Sequence, residues 1–176
     1  MPKQSAGLLP YRTSGGRVAV FLVHPGGPFW AKKDDGAWSI PKGEFAESEE
    51  PLEAAKREFK EETGLSIDGR FEALKPVKQP GGKIVYPWAV EGDVDAGAVR
   101  SNTFLIEWPR GSGKKRSFPE IDRAGWFDLH AAKVKILKGQ VGLLEQLEKR
   151  LSTRKVEAGR RRLLRAIDAT SQQRDD

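Results

Sequence analysis

The chain contains no cysteine, one methionine and two tyrosines in 176 residues. Without cysteine there is no disulfide framework, no thiolate metal site and no cysteine nucleophile. The two histidines, His24 and His130, lie far apart in the sequence and read as structural, so neither a histidine triad nor a histidine metal cage is expected. No apolar run approaches the length of a membrane span. The N-terminal Met-Pro-Lys-Gln-Ser-Ala-Gly lacks the apolar segment of a secretory signal. Pro25-Gly26-Gly27-Pro28 is not a P-loop, because no Gly-Lys-Ser/Thr follows it. The expectation is a small cytoplasmic protein without a membrane partner, one domain long and large enough for a real core. A net charge of +6 and a pI near 9.6 suit polyanionic partners but do not separate a nucleotide from RNA.

What the chain does have is a helix crowded with carboxylates. Residues 49–63 read as helical, with Ser48 as N-cap, Pro51 in the first turn and Gly64 just past the end. Leu52, Ala55 and Phe59 form one apolar stripe for a core. Glu58, Glu61 and Glu62, at i, i+3 and i+4, share another face. Lys56, Arg57 and Lys60 do not neutralise all three. Hard divalent cations take oxygen ligands and keep several waters, so such a face suits Mg²⁺, or Mn²⁺, bridging to substrate phosphates.

The run from Gly43 to Leu65 follows the pattern G-x5-E-x7-R-E-U-x-E-E-x-G-U at every position, U being bulky and apolar, with Glu49, Arg57, Glu58, Glu61, Glu62 and Gly64 in register. It resembles the Nudix box. The resemblance implies hydrolysis of a nucleoside diphosphate linked to a further group X. It implies metal ligation by the Gly43 carbonyl, Glu58, Glu61 and Glu62, with Arg57 orienting the carboxylates and Glu49 supporting Arg57. The stretch from His24 through Trp38-Ser39-Ile40-Pro41-Lys42-Gly43-Glu44 resembles bacterial nucleoside triphosphate pyrophosphohydrolases. Pro41-Lys42-Gly43 is also similar to the element that leads into the box in diadenosine tetraphosphate hydrolases. The implied fold class is α/β, a Nudix α/β/α sandwich around a mixed β-sheet.

The order of elements agrees with that class. Strands are expected over 5–13, 17–23, 38–40, 67–78, 83–91, 102–108 and 122–128, with a Gly15-Gly16 hairpin turn, a loop over 24–37 and helices from 129 onward. The division expected is a hydrolase domain over 1–151 and a basic extension over 152–176, helical or partly disordered. That extension carries Arg154, Lys155, Arg160, Arg161, Arg162 and Arg165.

Beyond the box, phosphates call for cations. Lys42 beside Gly43 is the leading candidate, followed by Lys32, Lys33 and Arg12. Tyr11, Phe29, Trp30, Tyr86 and Trp88 are the aromatic faces on offer to a base. Many Nudix enzymes add a glutamate from a late loop, and Glu120 stands in a comparable place, after the basic run Gly111–Arg116; its alternative is an ion pair with Arg123. The general base is therefore either Glu58 or Glu120. The expected substrate is a dinucleoside polyphosphate such as diadenosine tetraphosphate, or a nucleoside triphosphate. The alternatives are the 5′ end of RNA and a non-catalytic nucleotide-binding regulator on the same fold.

Overall fold

A computed structural model describes residues 2–172. Its centre is a mixed sheet in the order β4-β6-β1-β2-β9. The strands are β1 (Gln4–Ser14), β2 (Arg17–Pro25), β4 (Phe71–Ala73), β6 (Ile84–Glu91) and β9 (Ile121–Asp128), with short β3 (Lys42–Glu44) on β1 and β5 (Val77–Lys78) on β6. β1 and β2 are joined through the Gly15-Gly16 turn, with Ser14 opposite Arg17. β1 and β6 are parallel and the other pairs antiparallel. β7 (Thr103–Glu107) and β8 (Lys115–Pro119) form a separate two-stranded arm.

Alternation along β1 divides the core. Ala6 and Leu8 join Phe21, Val23 and Val90 under α1 (Pro51–Thr63), whose Ala54, Ala55 and Phe59 are buried against them. Leu9 and Tyr11 face the other way, with Val20, Leu22 and Val85, toward α2 (Leu129–Lys135) and α3 (Val141–Gln172), which contribute Ala132, Leu143, Leu144 and Leu147. This is the α/β/α sandwich with a mixed sheet.

Several boundaries differ from the sequence reading. α1 begins at Pro51, and its cap is Glu50, extended at φ −64° and ψ 128°, with no side-chain capping bond. A proline disfavours helical conformation in the residue before it, which places the start at Pro51 and leaves Ser48 too early to cap. The expected strand over 67–78 is broken into β4 and β5 around Pro76. Residues 38–40 make only isolated bridges, Ser39 to Val23 and Trp38 to Ile136. Lys115 and Arg116 belong to β8, so the mobile-looking basic run is half strand. α3 passes without a break through the expected boundary at 151/152. Residues 173–176 of the expected extension lie outside the described residues.

Candidate active site

α1 presents its carboxylates because its C-terminus is fixed. Gly64 adopts φ 71° and its N–H caps the Lys60 carbonyl at 2.7 Å, a left-handed stop that a β-carbon would strain. With Ala54, Ala55, Phe59 and Thr63 turned inward, Glu58, Glu61 and Glu62 turn toward β3.

Arg57 is the hub of this face. Its Nε and Nη2 donate to the two oxygens of Glu49 at 2.8 and 3.0 Å. Its Nη1 donates to Glu58 at 2.7 Å and to Glu61 at 3.2 Å. One guanidinium thus serves three carboxylates, leaving the cluster with surplus negative charge. Its pairing with Glu49, and then with Glu58, holds the guanidinium well above its ordinary pKa. Burial pushes Glu58, only 13% exposed, above the usual carboxylate range despite Arg57, and Glu61 and Glu120 push it the same way. Burial pushes Glu62 up to about 8, against the pull of Lys42, with Glu58 and Glu120 adding to the rise. Lys42 shares that burial, which lowers its ammonium pKa.

β3 meets this face at Gly43, which pairs with Ala6 of β1. A β-carbon on Gly43 would overlap the Glu58 carboxylate, so only glycine lets backbone and carboxylate come together here. The Lys42 N–H donates to Glu62 at 3.0 Å, tying β3 to the end of α1. Lys42, Glu62 and Glu120 line one cavity of about 230 Å³ with Trp30, Ser39 and Ile40. Glu120 is exposed and makes no ion pair among the described residues; Arg123 instead approaches Asp122 at 3.6 Å. The main chain of Glu120 is fixed from both sides: its N–H donates to the Asn102 carbonyl at 2.8 Å, and its carbonyl accepts from Gly26 N–H at 2.8 Å.

The other expected cations are distributed unevenly. Lys33 lies over the Trp30 ring, 4.8 Å from its centre, at the cavity edge. Lys32 is exposed on the same loop. Arg12 is not brought to the cavity: it pairs with Asp93 at 2.7 Å and stacks on Trp126 at 4.2 Å, in a separate concavity. Of the aromatics, Trp30 reaches the cavity and Tyr11 is core.

Two supporting groups had no sequence signal. Gln140 is fully buried, and its amide oxygen accepts from Ile40 N–H at 3.0 Å while its Nε2 donates to Ser39 at 2.9 Å. A residue a hundred positions away thereby holds the strap into β3. His24, also fully buried, contacts Asp122 at 2.7 Å through Nδ1 and the Lys33 carbonyl at 2.6 Å through Nε2. It pins the 24–37 loop to β9 next to Glu120, the structural role expected of it.

Among the described residues, no three histidine, cysteine, aspartate or glutamate side chains converge as a ready-made metal cage. The donors that do meet are all oxygens: Glu58 against Gly43, with Glu61 and Glu62 on the same face. Mg²⁺ needs only one or two carboxylates plus waters and phosphate oxygens, so the donor set and the Gly43 cradle fit such an ion.

A NUDIX domain model matches residues 1–147. The chain belongs to the Nudix family. As a Nudix hydrolase domain it is similar to the RNA pyrophosphohydrolase of Bartonella henselae, 34% identical over 80 residues, covering 43% of this chain and 42% of that protein. The match therefore spans less than half the length of that curated relative. Among solved structures it resembles the NUDIX domain of Shewanella oneidensis NrtR complexed with ADP ribose, with TM-score 0.60 and 17% identity over 86% of this chain and 89% of that one. It also resembles a C. elegans Ap4A hydrolase, with TM-score 0.59 and 22% identity over 86% and 98% of the two chains. At these identities the structural likeness concerns the fold. The Nudix fold and hydrolase domain are established by these matches; the branch within the family is not. No helix among the described residues is long and apolar enough to cross a membrane.

Proposed function

We propose that the chain is a divalent-metal-dependent pyrophosphohydrolase that cleaves a nucleoside diphosphate linked to a further group X. The observation that carries this reading is the surplus of carboxylate around Arg57, facing the Gly43 cradle and opening on the cavity that Lys42 and Glu120 also line. Gly43, through its carbonyl, and Glu58, Glu61 and Glu62 would hold Mg²⁺ or Mn²⁺, which supplies charge neutralisation on the diphosphate and a more acidic water. Arg57 keeps Glu58 and Glu61 in fixed rotamers, so little reorganisation is left for the reaction itself. Lys42 offers its ammonium to the phosphates, and Lys33 on Trp30 stands at the mouth. A carboxylate accepts the proton of the attacking water as the anhydride P–O bond breaks and the bridging oxygen leaves with the departing phosphate. Glu58 and Glu120 are the two candidates. Glu58 is bound to Arg57 whereas Glu120 has no cationic partner among the described residues, which favours Glu120 as base.

Small substrates of this class are dinucleoside polyphosphates and nucleoside triphosphates. The 5′ end of RNA is a second reading, favoured by the cationic arm next to Glu120. The test is a panel of nucleoside triphosphates, diadenosine tetraphosphate and 5′-triphosphorylated RNA assayed with Mg²⁺ and with Mn²⁺. Turnover of at least one is expected. Binding without turnover of any would turn the reading toward a nucleotide-binding regulator.

A further inference from the structure

The cavity at Glu62 and Glu120 measures about 230 Å³, below the roughly 300–1,000 Å³ of sites that enclose a whole small molecule. It has room for phosphates, and the remainder of a nucleotide substrate must lie on the surface around it. The neighbouring surface is the β7–β8 arm, which is rooted at Glu120 through the Asn102 and Gly26 hydrogen bonds. Phe104 of β7 packs over Gly27, where an added β-carbon would come within 2.8 Å of its ring. Farther out, Trp108 meets Phe29 edge-on at 5.5 Å, and the Arg110 guanidinium lies 5.2 Å from the centre of the Phe29 ring. Phe29 is nevertheless 48% exposed. Trp30 in the cavity, Phe29 next to it and Trp108 beyond thus form a path of aromatic rings leading outward.

The path is flanked by charge of one sign. Lys32, Lys33, Arg110, Lys114, Lys115 and Arg116 are all exposed, and none has an ion-pair partner among the described residues. The nearby acids are already engaged: Asp34 and Asp35 by Lys135 at 2.6 and 3.0 Å, and Glu107 by the turn amide of Gly113 at 2.7 Å. Aromatic faces set among unpaired cations are what single-stranded nucleic acid uses, with bases stacking and phosphates following the charge. The count of cations decides against a smaller ligand. A triphosphate or a dinucleoside polyphosphate places its phosphates in the cavity and ends in an uncharged nucleoside. Only a polynucleotide brings a fresh phosphate with each residue to meet Arg110 and Lys114–Arg116.

We propose that the β7–β8 arm, with loop residues 26–33, is a docking surface for a single-stranded polynucleotide whose 5′-polyphosphate enters the cavity. The proposal rests on the pyrophosphohydrolase reading for its chemistry, and its binding can be measured apart from turnover.

The experiment uses the full chain and the exposed triple variant Lys114→Ala/Lys115→Ala/Arg116→Ala, with circular dichroism as a check on folding, and Phe29→Ala as a second, uncharged probe. Substrates are ATP, diadenosine tetraphosphate and a short 5′-triphosphorylated oligoribonucleotide. For the oligonucleotide, the triple variant should raise KM about tenfold or more with kcat within about twofold, and the salt slope of log kcat/KM should become shallower by about two, at ~0.7 per phosphate released. Phe29→Ala should raise the same KM about fivefold or more, by loss of stacking. ATP kinetics should stay within about twofold in both variants. Equal losses on ATP and oligonucleotide, or no loss on the oligonucleotide, overturn the proposal. So does an equal loss on diadenosine tetraphosphate, which would mark a site for a second nucleoside. Fluorescence anisotropy with a labelled 5′-monophosphorylated oligonucleotide separates the two readings. Arm-dependent binding without hydrolysis of any nucleotide keeps the surface and removes the enzyme; hydrolysis with arm-independent binding does the reverse.

Discussion

Two ion clusters of opposite composition sit on opposite faces of the sheet. Under α1, one arginine, Arg57, serves the three carboxylates of Glu49, Glu58 and Glu61. Toward α3, one carboxylate, Glu72 of β4, collects Arg150 at 3.0 Å, Arg154 and, at 3.7 Å, Arg70. The first cluster leaves excess negative charge that the protein does not cancel, on a helix whose end is braced by Gly64 and the Lys42 N–H. The second leaves excess positive charge that needs no ligand, since Arg150 and Arg154 are partly exposed and reach water. Geometry is comparable in the two; the sign and accessibility of the uncancelled charge differ. An uncancelled set of oxygens facing a cavity calls for a cation, and uncancelled guanidinium at a surface is simply hydrated. The α1 cluster should therefore govern activity and the Glu72 cluster stability.

The largest effect expected is on the α1 side. Excess chelator should abolish turnover, and Glu58→Gln with Glu62→Gln should lower kcat by more than about 10²-fold, the scale for groups acting on transition-state charge. Thermal stability should not fall, because both carboxylates sit under the cost of burial. Full turnover in chelator would break the comparison at its root.

Next comes Glu120, which faces the same cavity from the other wall. Glu120→Gln should lower kcat about 10- to 10³-fold with little change in KM, the signature of a group acting in the transition state. Asp122→Asn, two residues on, touches His24 and Arg123 instead, and should cost stability more than kcat. An unchanged kcat in Glu120→Gln would return the base to Glu58.

The Glu72 cluster should show the converse in its pH dependence. Hydrogen bonds from Arg154, then Arg150, hold the Glu72 carboxyl below its ordinary 4.5, although burial opposes them. A depressed folded pKa contributes stability that is full above the unfolded value and is lost as pH falls through the folded one. Glu72→Gln should therefore cost about 1–2 kcal/mol near pH 7, some 2–8 °C in Tm. The gap to the wild type should narrow steadily below pH 4.5. A gap that is constant with pH would mean that packing, not charge, ties α3 to β4.

What the sequence revealed follows the range of the interactions. The box was legible because its parts lie within one helix and one turn: Arg57 meets Glu49, Glu58 and Glu61 at spacings a helix and its lead-in loop dictate. Gly43 was legible as a ligand by resemblance, but its tight fit against Glu58 depends on β3 pairing with β1, a register no local pattern states. The Ser48 cap failed on a local rule, since Pro51 sets the conformation of Glu50. Gln140 and the Glu72–Arg154 pair were invisible because they join positions about a hundred and 82 residues apart. Arg12 looked available as a phosphate clamp, and its partners Asp93 and Trp126 come from elements far along the chain.

The smallest effect concerns the end of α3. The expected division at 151/152 falls inside a continuous helix, three residues before Arg154. That residue binds Glu72 and, at 3.4 Å, the Tyr11 hydroxyl, and Lys155 reaches the Gly16 carbonyl at 3.4 Å. Beyond it, Val156, Leu163, Leu164 and Ile167 are 52–71% exposed and, with Arg160, Arg161, Arg162 and Arg165, make no ion pair or core contact among the described residues. We propose that the folding unit ends at Lys155. Truncation after Lys155 should leave Tm within about 1 °C and small-nucleotide turnover unchanged, because surface segments without buried partners contribute within about 0.5 kcal/mol. Truncation after Leu151 removes Arg154 and should lower Tm by the same few degrees as Glu72→Gln, with kcat retained in the folded fraction. Equal destabilisation by the two truncations would extend the unit past Lys155 and show that the exposed stripe packs in solution. Loss of kcat on truncation after Leu151, in protein shown to be folded, would couple the two clusters across the sheet.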